Sequence, residues 1–353
     1  MNTKVVILKQ DKKETEQILQ EAGEIIKSGG VVAFPTETVY GLGAHALKAD
    51  SAKKIYAAKD RPSDNPLIIH ISQFEDIYSI TSNLPEAAVQ IAKAFWPGPL
   101  TMILPKGKSV PYETTGGLDT VAVRLPEHPI ARKLIEHSGG FVAAPSANRS
   151  GRPSPTLAQY VIEDMQGRID MIIDGGEVGI GIESTIIDLT ISPPQILRPG
   201  AITLQMLRNL LGEVEVDSAI LSENSTKAPR APGMKYRHYA PKGELVIVTG
   251  KTEFVIKHIN HKAEKAQKAG EKTGIIGSFE NIKQYRCDVV KCIGSREDEE
   301  SIAKNLYRIL REFDTEGITQ IYSESFEGDG MGDAIMNRLL KAAGHRIEKA
   351  AEV

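Results

Sequence analysis

The run Gly29-Gly30-Val31-Val32-Ala33-Phe34-Pro35-Thr36-Glu37-Thr38-Val39-Tyr40-Gly41-Leu42-Gly43 decides the fold class. Just before it, residues 14–28 (ETEQILQEAGEIIKS) place Ile18, Ala22, Ile25 and Ile26 at helical spacing, and Gly29-Gly30 stops that helix in front of the apolar run Val31–Phe34. Helix, turn and buried strand thus follow in quick succession, and the same grammar recurs. Asp50 or Ser51 can cap a helix through about Lys59, Leu67–Ile71 reads as a strand, Pro85–Phe95 as a helix and Leu100–Leu104 as a strand. Val121–Leu125 (strand), Pro129–Ser138 (helix), Phe141–Ala144 (strand), Thr156–Met165 (helix), Met171–Asp174 and Thr185–Leu189 (strands) continue the pattern. Short, nearly continuous apolar strands alternating with helices predict an α/β sheet covered on both faces, with the strand order left open.

At 353 residues the chain has room for two domains at about 150 residues each. Hydrophobic residues at 41% and charged residues at 25% are ordinary for a globular protein and exclude collagen-like or globally disordered classes. Lys and Arg number 43 against 46 Asp and Glu, so the net charge of −3 lacks the basicity of a protein that lives on nucleic acid. Cys287 and Cys292 cannot build a disulfide framework, and their spacing without a second pair does not match a structural zinc site. A reducing, cytoplasmic setting is expected. The start, MNTKVVILKQDKKETEQ, turns charged after one short apolar run, and no stretch reaches the roughly 20 apolar residues that span a bilayer.

Around 221–242 the texture changes. SENSTKAPRAPGMKYRHYAPK holds Pro229, Pro232 and Pro241, and between Ser225 and Gly243 there are five cations (Lys227, Arg230, Lys235, Arg237, Lys242) and no acid. This reads as a linker, on composition a solvated tether or a contact for RNA. A second α/β pattern follows: strand Leu245–Val248, a helix through His258–Ala269, strands Gly274–Ile276 and Asp288–Lys291, helix Glu299–Phe313, strand Ile318–Ser323 and helix Asp333–Ala343. It suits a small Rossmann-like domain. The expected organisation is a first domain over 1–220, the linker over 221–242 and a C-terminal domain over 243–353.

Ligands of α/β sheets gather at the loops beyond strand ends. The segment Phe34–Gly43 is read as such a loop, with Pro35, Gly41 and Gly43 as turn formers. Neither a full G-x-G-x-x-G nor a G-x-x-x-x-G-K-[ST] nucleotide loop is present. In 59–70 (KDRPSDNPLIIH), Lys59 and Arg61 either sit favourably at a helix C-terminus or form a clamp for phosphate oxygens, and His70 taken alone reads as a core histidine. Thr120, Ala122 and Arg124 share one strand face, and an Arg in an apolar strand needs a buried salt bridge or a bound carboxylate. Ser146 and Asn148 offer hydroxyl and amide groups without an adjacent base. No G-x-S-x-G elbow, no H-E-x-x-H and no Cys/His cage occurs. The inventory of cations, hydroxyls and amides suits a site that orients and neutralises phosphates and carboxylates.

The stretches FPTETVYGLGA (34–44), AKDRPSDNPLIIHI (58–71), FWPGPLT (95–101), TGGLDTVAVRLPEHP (115–129), AAPSANRSGRPSPT (143–156), GIESTIIDL (181–189), LRPG (197–200), APGMKYRHYAP (231–241) and AIMNRLLKAAG (334–344) stand in order along the chain. Together they closely resemble the threonylcarbamoyl-AMP synthase family in its longer two-domain form. The resemblance implies a YrdC-like twisted mixed sheet with flanking helices, followed by the smaller Rossmann-like domain. It implies a nucleotidyltransferase that joins L-threonine, bicarbonate or CO2, and ATP into threonylcarbamoyl-AMP and pyrophosphate, the first step of a tRNA modification next to the anticodon.

By the family pattern, Thr36, His70, Arg124, Ala144 (through its backbone) and Ser184 contact threonine or its carbamoyl group, with Arg124 pairing the carboxylate. Lys59, Arg61, Asn65, Thr120, Ser146, Ser154, Arg198 and Tyr236 contact ATP, and Lys59 and Arg61 are expected to matter most for rate. Mg2+ would ride on the ATP phosphates rather than on protein side chains. The linker becomes a lid over the cleft. As transient partners the resemblance implies tRNA or the downstream transferase complex, and no membrane. Arg149-Ser150-Gly151 varies among relatives and stays unassigned. The segment 334–344 is read as an amphipathic helix packing through Ile335, Leu339 and Leu340. Two alternatives were weighed. A hydrogenase-maturation-type carbamoyl-adenylate enzyme needs zinc-finger ligands that two cysteines cannot supply, and a non-catalytic double-stranded RNA or tRNA binder sits poorly with the net charge.

Overall fold

The computed structural model describes residues 2–8, 11–220, 238–328 and 330–351. They fall into two compact units, Met1–Ser150 with Ser154–Tyr236, and Gly151–Pro153 with Arg237–Val353. In the first unit the strands are β1 (Lys4–Ile7), β2 (Val32–Phe34), β3 (Gly41–His45), β4 (Ile68–Ile71), β5 (Leu100–Pro105), β6 (Thr120–Arg124), β7 (Phe141–Ala143), β8 (Met171–Asp174), β9 (Thr185–Asp188), β10 (Gln195–Arg198) and β11 (Glu215–Val216). They form one sheet in the order β1-β8-β2-β3-β7-β4-β6-β5-β9-β10-β11. Pairing is mixed: β4 runs parallel to β6, β6 antiparallel to β5, and β5 parallel to β9.

Strand alternation explains the two cores. Val31 and Ala33 pack into one buried cluster, Val32 and Phe34 into the other. One face is covered by helices Lys12–Lys27 and Pro129–His137 through Leu19, Ala22, Ile26, Ala131, Leu134 and Ile135. Helices Ala49–Lys59, Glu86–Phe95 and Ala158–Met165 contribute Ile55, Ile91 and Val161 to the other cluster. The first helix begins where the Asp11 carboxylate accepts from the Lys13 and Glu14 amides.

Three readings change here. The segment 34–43 is not a loop throughout, because Gly41–His45 is strand β3, antiparallel to β2. Its glycines serve as spacers: a Cβ on Gly43 would lie 2.7 Å from Phe34 Cε1 and from Val142 Cγ1. The helix before Lys59 starts at Ala49 with Lys48 as its N-cap and no side-chain cap bond, so Asp50 lies inside the first turn, where a carboxylate suits the helix dipole. Strands β1, β10 and β11 and helix Leu204–Leu211 were not expected. β1 lies at a sheet edge with Val5 39% and Ile7 66% exposed, which leaves little apolar signal.

In the second unit, β12 (Glu244–Thr249), β13 (Thr273–Gly277), β14 (Val289–Cys292), β15 (Gln320–Glu324) and β16 (Ile347–Lys349) form a parallel sheet in the order β14-β13-β15-β12-β16. Helices Thr252–Lys268, Glu299–Glu316 and Gly332–Ala343 connect the strands, the α/β arrangement expected of a Rossmann-like domain; the short β16 and the 3-10 turn Ile282–Gln284 are additions to the expected pattern. On the last helix Ile335 and Leu339 are buried and Leu340 is half-buried, while Asn337 and Arg338 are buried as well. Residues 221–237, most of the basic run and with it the lid reading, lie outside the described residues. Where the chain is described again, the Tyr239 ring lies 5.2 Å from Tyr307 and the Lys242 amide donates to Asp314 Oδ1 at 2.6 Å.

Candidate active site

The register of three neighbouring strands assembles the centre of the site. His70 on β4 lies beside Arg124 on β6, and Arg124 lies beside Thr101 on β5. Ser184, just ahead of β9, extends the row, its Oγ 2.8 Å from Thr101 Oγ1. Residues two apart share a strand face, so these polar groups stand on the same side as the small apolar cluster Ile68, Ala122, Ile103, Ile186 and Leu197. Leu67, Ile69, Leu100, Met102, Val121 and Val123 point the other way into the larger core. Thr120 stands on the ligand side, four residues before Arg124.

Arg124 is 4% exposed and meets an anion from its own chain. Its Nη2 donates to Glu37 Oε1 at 2.6 Å, Nη1 to Thr38 Oγ1 at 3.0 Å and Nε to the Gly98 carbonyl at 3.4 Å. Of the two readings left open for this arginine, the structure contains the buried salt bridge. Burial alone would raise the Glu37 carboxyl, but the charge and hydrogen bond of Arg124, joined by the backbone amides of Glu37 and Glu127, outweigh it and hold the group below the usual carboxylate value. Thr36 builds the turn that carries Glu37: its hydroxyl lies 2.9 Å from Thr38 Oγ1 and donates to the Val39 carbonyl at 2.6 Å. The stretch 175–184 closes on this turn through Ile180 N to Glu37 O at 2.8 Å and Gly181 N to Thr38 O at 3.0 Å.

His70 is 4% exposed, with Nδ1 3.1 Å from the Ile68 carbonyl. A carbonyl only accepts, so Nδ1 carries the hydrogen. Burial, reinforced by the Arg124 charge, pushes the imidazole down to about 3, which keeps it neutral at neutral pH. The core-histidine reading holds for it, and it stands on the same sheet side as Arg124.

Lys59 ends its helix 3% exposed, and its ammonium donates to the Ser146 and Asn148 carbonyls, each at 2.5 Å. The chain then turns at Asp60, which adopts a left-handed conformation at φ 53°. Its Oδ2 accepts from Arg149 Nη2 at 2.8 Å and Arg168 Nη1 at 3.1 Å, so Arg149, left unassigned by the sequence, helps to fix this turn. Beyond it, Arg61 Nη2 donates to the Asn65 and Pro66 carbonyls at 3.1 and 3.0 Å. Asn65 is 1% exposed, and its side-chain Oδ1 has no hydrogen-bond partner.

Ser146 Oγ donates to Asn148 Oδ1 at 2.5 Å, while Ala144 commits its amide to the Ile68 carbonyl at 2.9 Å. The Ser154 hydroxyl, fully buried, donates to Glu183 Oε1 at 2.6 Å. Arg198, 5% exposed, spans Ser184 through Nε to its carbonyl at 3.0 Å and Nη2 to its Oγ at 3.1 Å. Backbone bonds lace the segments together: Leu42 N to Pro145 O, Ala147 N to Tyr40 O and Ser150 N to Lys59 O, at 2.8, 2.8 and 2.9 Å. Tyr236 lies outside the described residues.

The structure therefore brings Thr36, His70, Arg124, Ala144 and Ser184 onto one sheet region, ties Lys59 to Ser146, and joins Arg61 to Asn65. The sequence alone assigns no role to Glu37, Thr101 or Glu183. Each proves to be the direct partner of an expected site residue. Among the described residues no group of three or more His, Cys, Asp or Glu is placed to hold a metal ion, and no helix is long and apolar enough to cross a membrane.

Comparison with known proteins gives the same outline. Residues 24–200 match a family model described as "Telomere recombination" (Sua5, YciO and YrdC proteins), and residues 202–344 match the model "Threonylcarbamoyl-AMP synthase, C-terminal domain". The chain is 51% identical to the threonylcarbamoyl-AMP synthase of Pyrococcus abyssi, over 93% of this chain and 94% of that one. It is 46% identical to the Bacillus subtilis enzyme of the same name, over 93% and 94%. The crystal structure of P. abyssi Sua5 complexed with L-threonine superposes with a TM-score of 0.93 at 48% identity, covering 99% of this chain and 100% of that one.

Proposed function

The chain belongs to the threonylcarbamoyl-AMP synthase family, and from that premise we propose how its site makes threonylcarbamoyl-AMP and pyrophosphate from L-threonine, bicarbonate or CO2, and ATP. One observation carries the reading: stretches 34–44, 58–71, 120–124, 143–150, 181–185 and 197–200, far apart in the chain, are joined through the bonds of Lys59, Arg124 and Arg198.

Thr36, His70, Arg124, Ala144 and Ser184 bound the threonine end, and Lys59, Arg61, Asn65, Thr120, Ser146, Ser154 and Arg198 the nucleotide end; Tyr236, outside the described residues, is assigned to the nucleotide by the family resemblance alone. The threonine amine becomes a carbamate, whose oxygen attacks the α-phosphorus while pyrophosphate leaves. Charge then builds on the phosphate oxygens, and fixed cations stabilise it without reorganising. Lys59 and Arg61 stand on either side of the Asp60 turn and do this work. The neutral His70 and the apolar cluster beneath it keep water from the labile carbamate. The Lys59 ammonium, held by the Ser146 and Asn148 carbonyls, and the Arg61 guanidinium suit phosphate oxygens, and Mg2+ would ride on those phosphates and supply further positive charge there.

The product passes to a transferase complex that modifies the adenosine beside the anticodon of tRNA. That places the protein in the cytoplasm and makes tRNA or the complex a transient partner. The test is pyrophosphate release with ATP, L-threonine and bicarbonate, omitting one at a time. Release is expected to need all three; release that ignores threonine overturns the proposal.

A further inference from the structure

We propose that Glu37 receives the amino group of the substrate amino acid, through the carboxylate oxygen that Arg124 leaves uncovered. The inference rests on the function proposed above and adds a residue that sets which ligand the site accepts. Glu37 is 9% exposed; its Oε1 accepts from Arg124, while Oε2 is buried with no partner in hydrogen-bond geometry, although the Glu37 and Glu127 amides lie near enough to stabilise the carboxylate. A buried carboxylate oxygen without a donor is costly unless a ligand supplies one.

The chemistry of the ligand follows from the pair. An amino acid at neutral pH carries an ammonium and a carboxylate one carbon apart, and a fixed Glu–Arg pair is its charge complement. Of the five guanidinium N–H donors, Arg124 spends one each on Gly98, Thr38 and Glu37. The others remain for the substrate carboxylate, beside the oxygen that takes the ammonium. Glu37 stays anionic, so it binds and aims the amine and is not the group that removes its proton. His128 bounds the same place. It is the N-cap residue of the helix that follows Arg124 in the chain, without a side-chain cap bond; its Nδ1 is buried without a partner, and burial pushes the imidazole down against the opposing pull of the Glu37 charge. Glu183, another buried acid of the site segments, already accepts from Ser154.

Calorimetric titration of the full chain tests this with two ligands, L-threonine and (2S,3R)-2,3-dihydroxybutanoate, in which a hydroxyl replaces the ammonium. Glu37→Gln keeps the shape and a bond to Arg124 but removes the charge. It is expected to weaken L-threonine at least about tenfold, the worth of a hydrogen bond to a charged group, while the dihydroxy acid and ATP change less than about twofold. If that variant does not fold, Glu37→Asp keeps the charge, withdraws the oxygen, and should show the same selective loss. Equal weakening of both acids, or L-threonine binding left within twofold, overturns the inference while the proposed function stands. Failure of the unaltered protein to bind L-threonine overturns both.

Discussion

Lys59→Ala is expected to lower adenylate formation at least tenfold, about 1.4 kcal/mol of transition-state stabilisation, with Lys59→Met equally slow. A lysine at 3% exposure has given up most of its hydration, and the Ser146 and Asn148 carbonyls fix where its ammonium sits. The methionine variant keeps most of the apolar stem, so a loss common to both belongs to the charge. The turn that aims Lys59 and Arg61 is held independently by Asp60 with Arg149 and Arg168. Arg61→Ala should therefore slow the reaction without unfolding the protein. Steady-state pyrophosphate release, beside a thermal melt of each variant, reads both effects. A Lys59→Met rate within twofold of the unaltered protein rules the clamp out.

Arg124→Met carries the largest expected effect on stability, a loss of about 3–5 kcal/mol, because it strands Glu37 as a buried, uncompensated charge. The sign with pH is fixed. In the unaltered protein the Glu37 pKa is depressed, so the pair stabilises the fold above the ordinary carboxylate pKa of about 4.3 and loses that contribution as pH falls through the folded value. Without Arg124, burial raises the pKa instead, so the carboxyl is accommodated as a neutral acid. The variant's deficit should then be largest near pH 8 and shrink towards pH 5. Adding Glu37→Gln to Arg124→Met should recover most of the loss, because no charge is left buried. Urea unfolding across that pH range decides it: a deficit that does not change with pH removes Glu37 from the explanation.

The two-sided sheet was legible because strands such as Val31–Phe34 and Leu67–Ile71 are apolar at every position but one, His70. That residue lies beside Arg124, on the side of the sheet that carries the buried salt bridge. The limits of sequence reading were equally local. Gly41 and Gly43 looked like turn residues, since sequence does not show that Phe34 and Val142 crowd the space a Cβ would fill. β1 and β11 lie at the sheet's outer edges, where little burial is demanded and little pattern results. At the site, the expected side chains were recognisable by type, but their partners were not. Arg124 could be read as needing an anion. Which anion depended on the turn that brings Glu37 to it across the fold, a contact 87 residues apart in sequence. The pairs Ser154–Glu183 and Ser184–Thr101 are of the same kind.

The most direct test supplies carbon-14 bicarbonate with ATP and L-threonine and follows the label chromatographically. Label should appear in an adenylate only when all three substrates are present, and should leave that species as it hydrolyses. Label that never moves with an adenylate, or that does so without threonine, contradicts the assignment of this chain's chemistry.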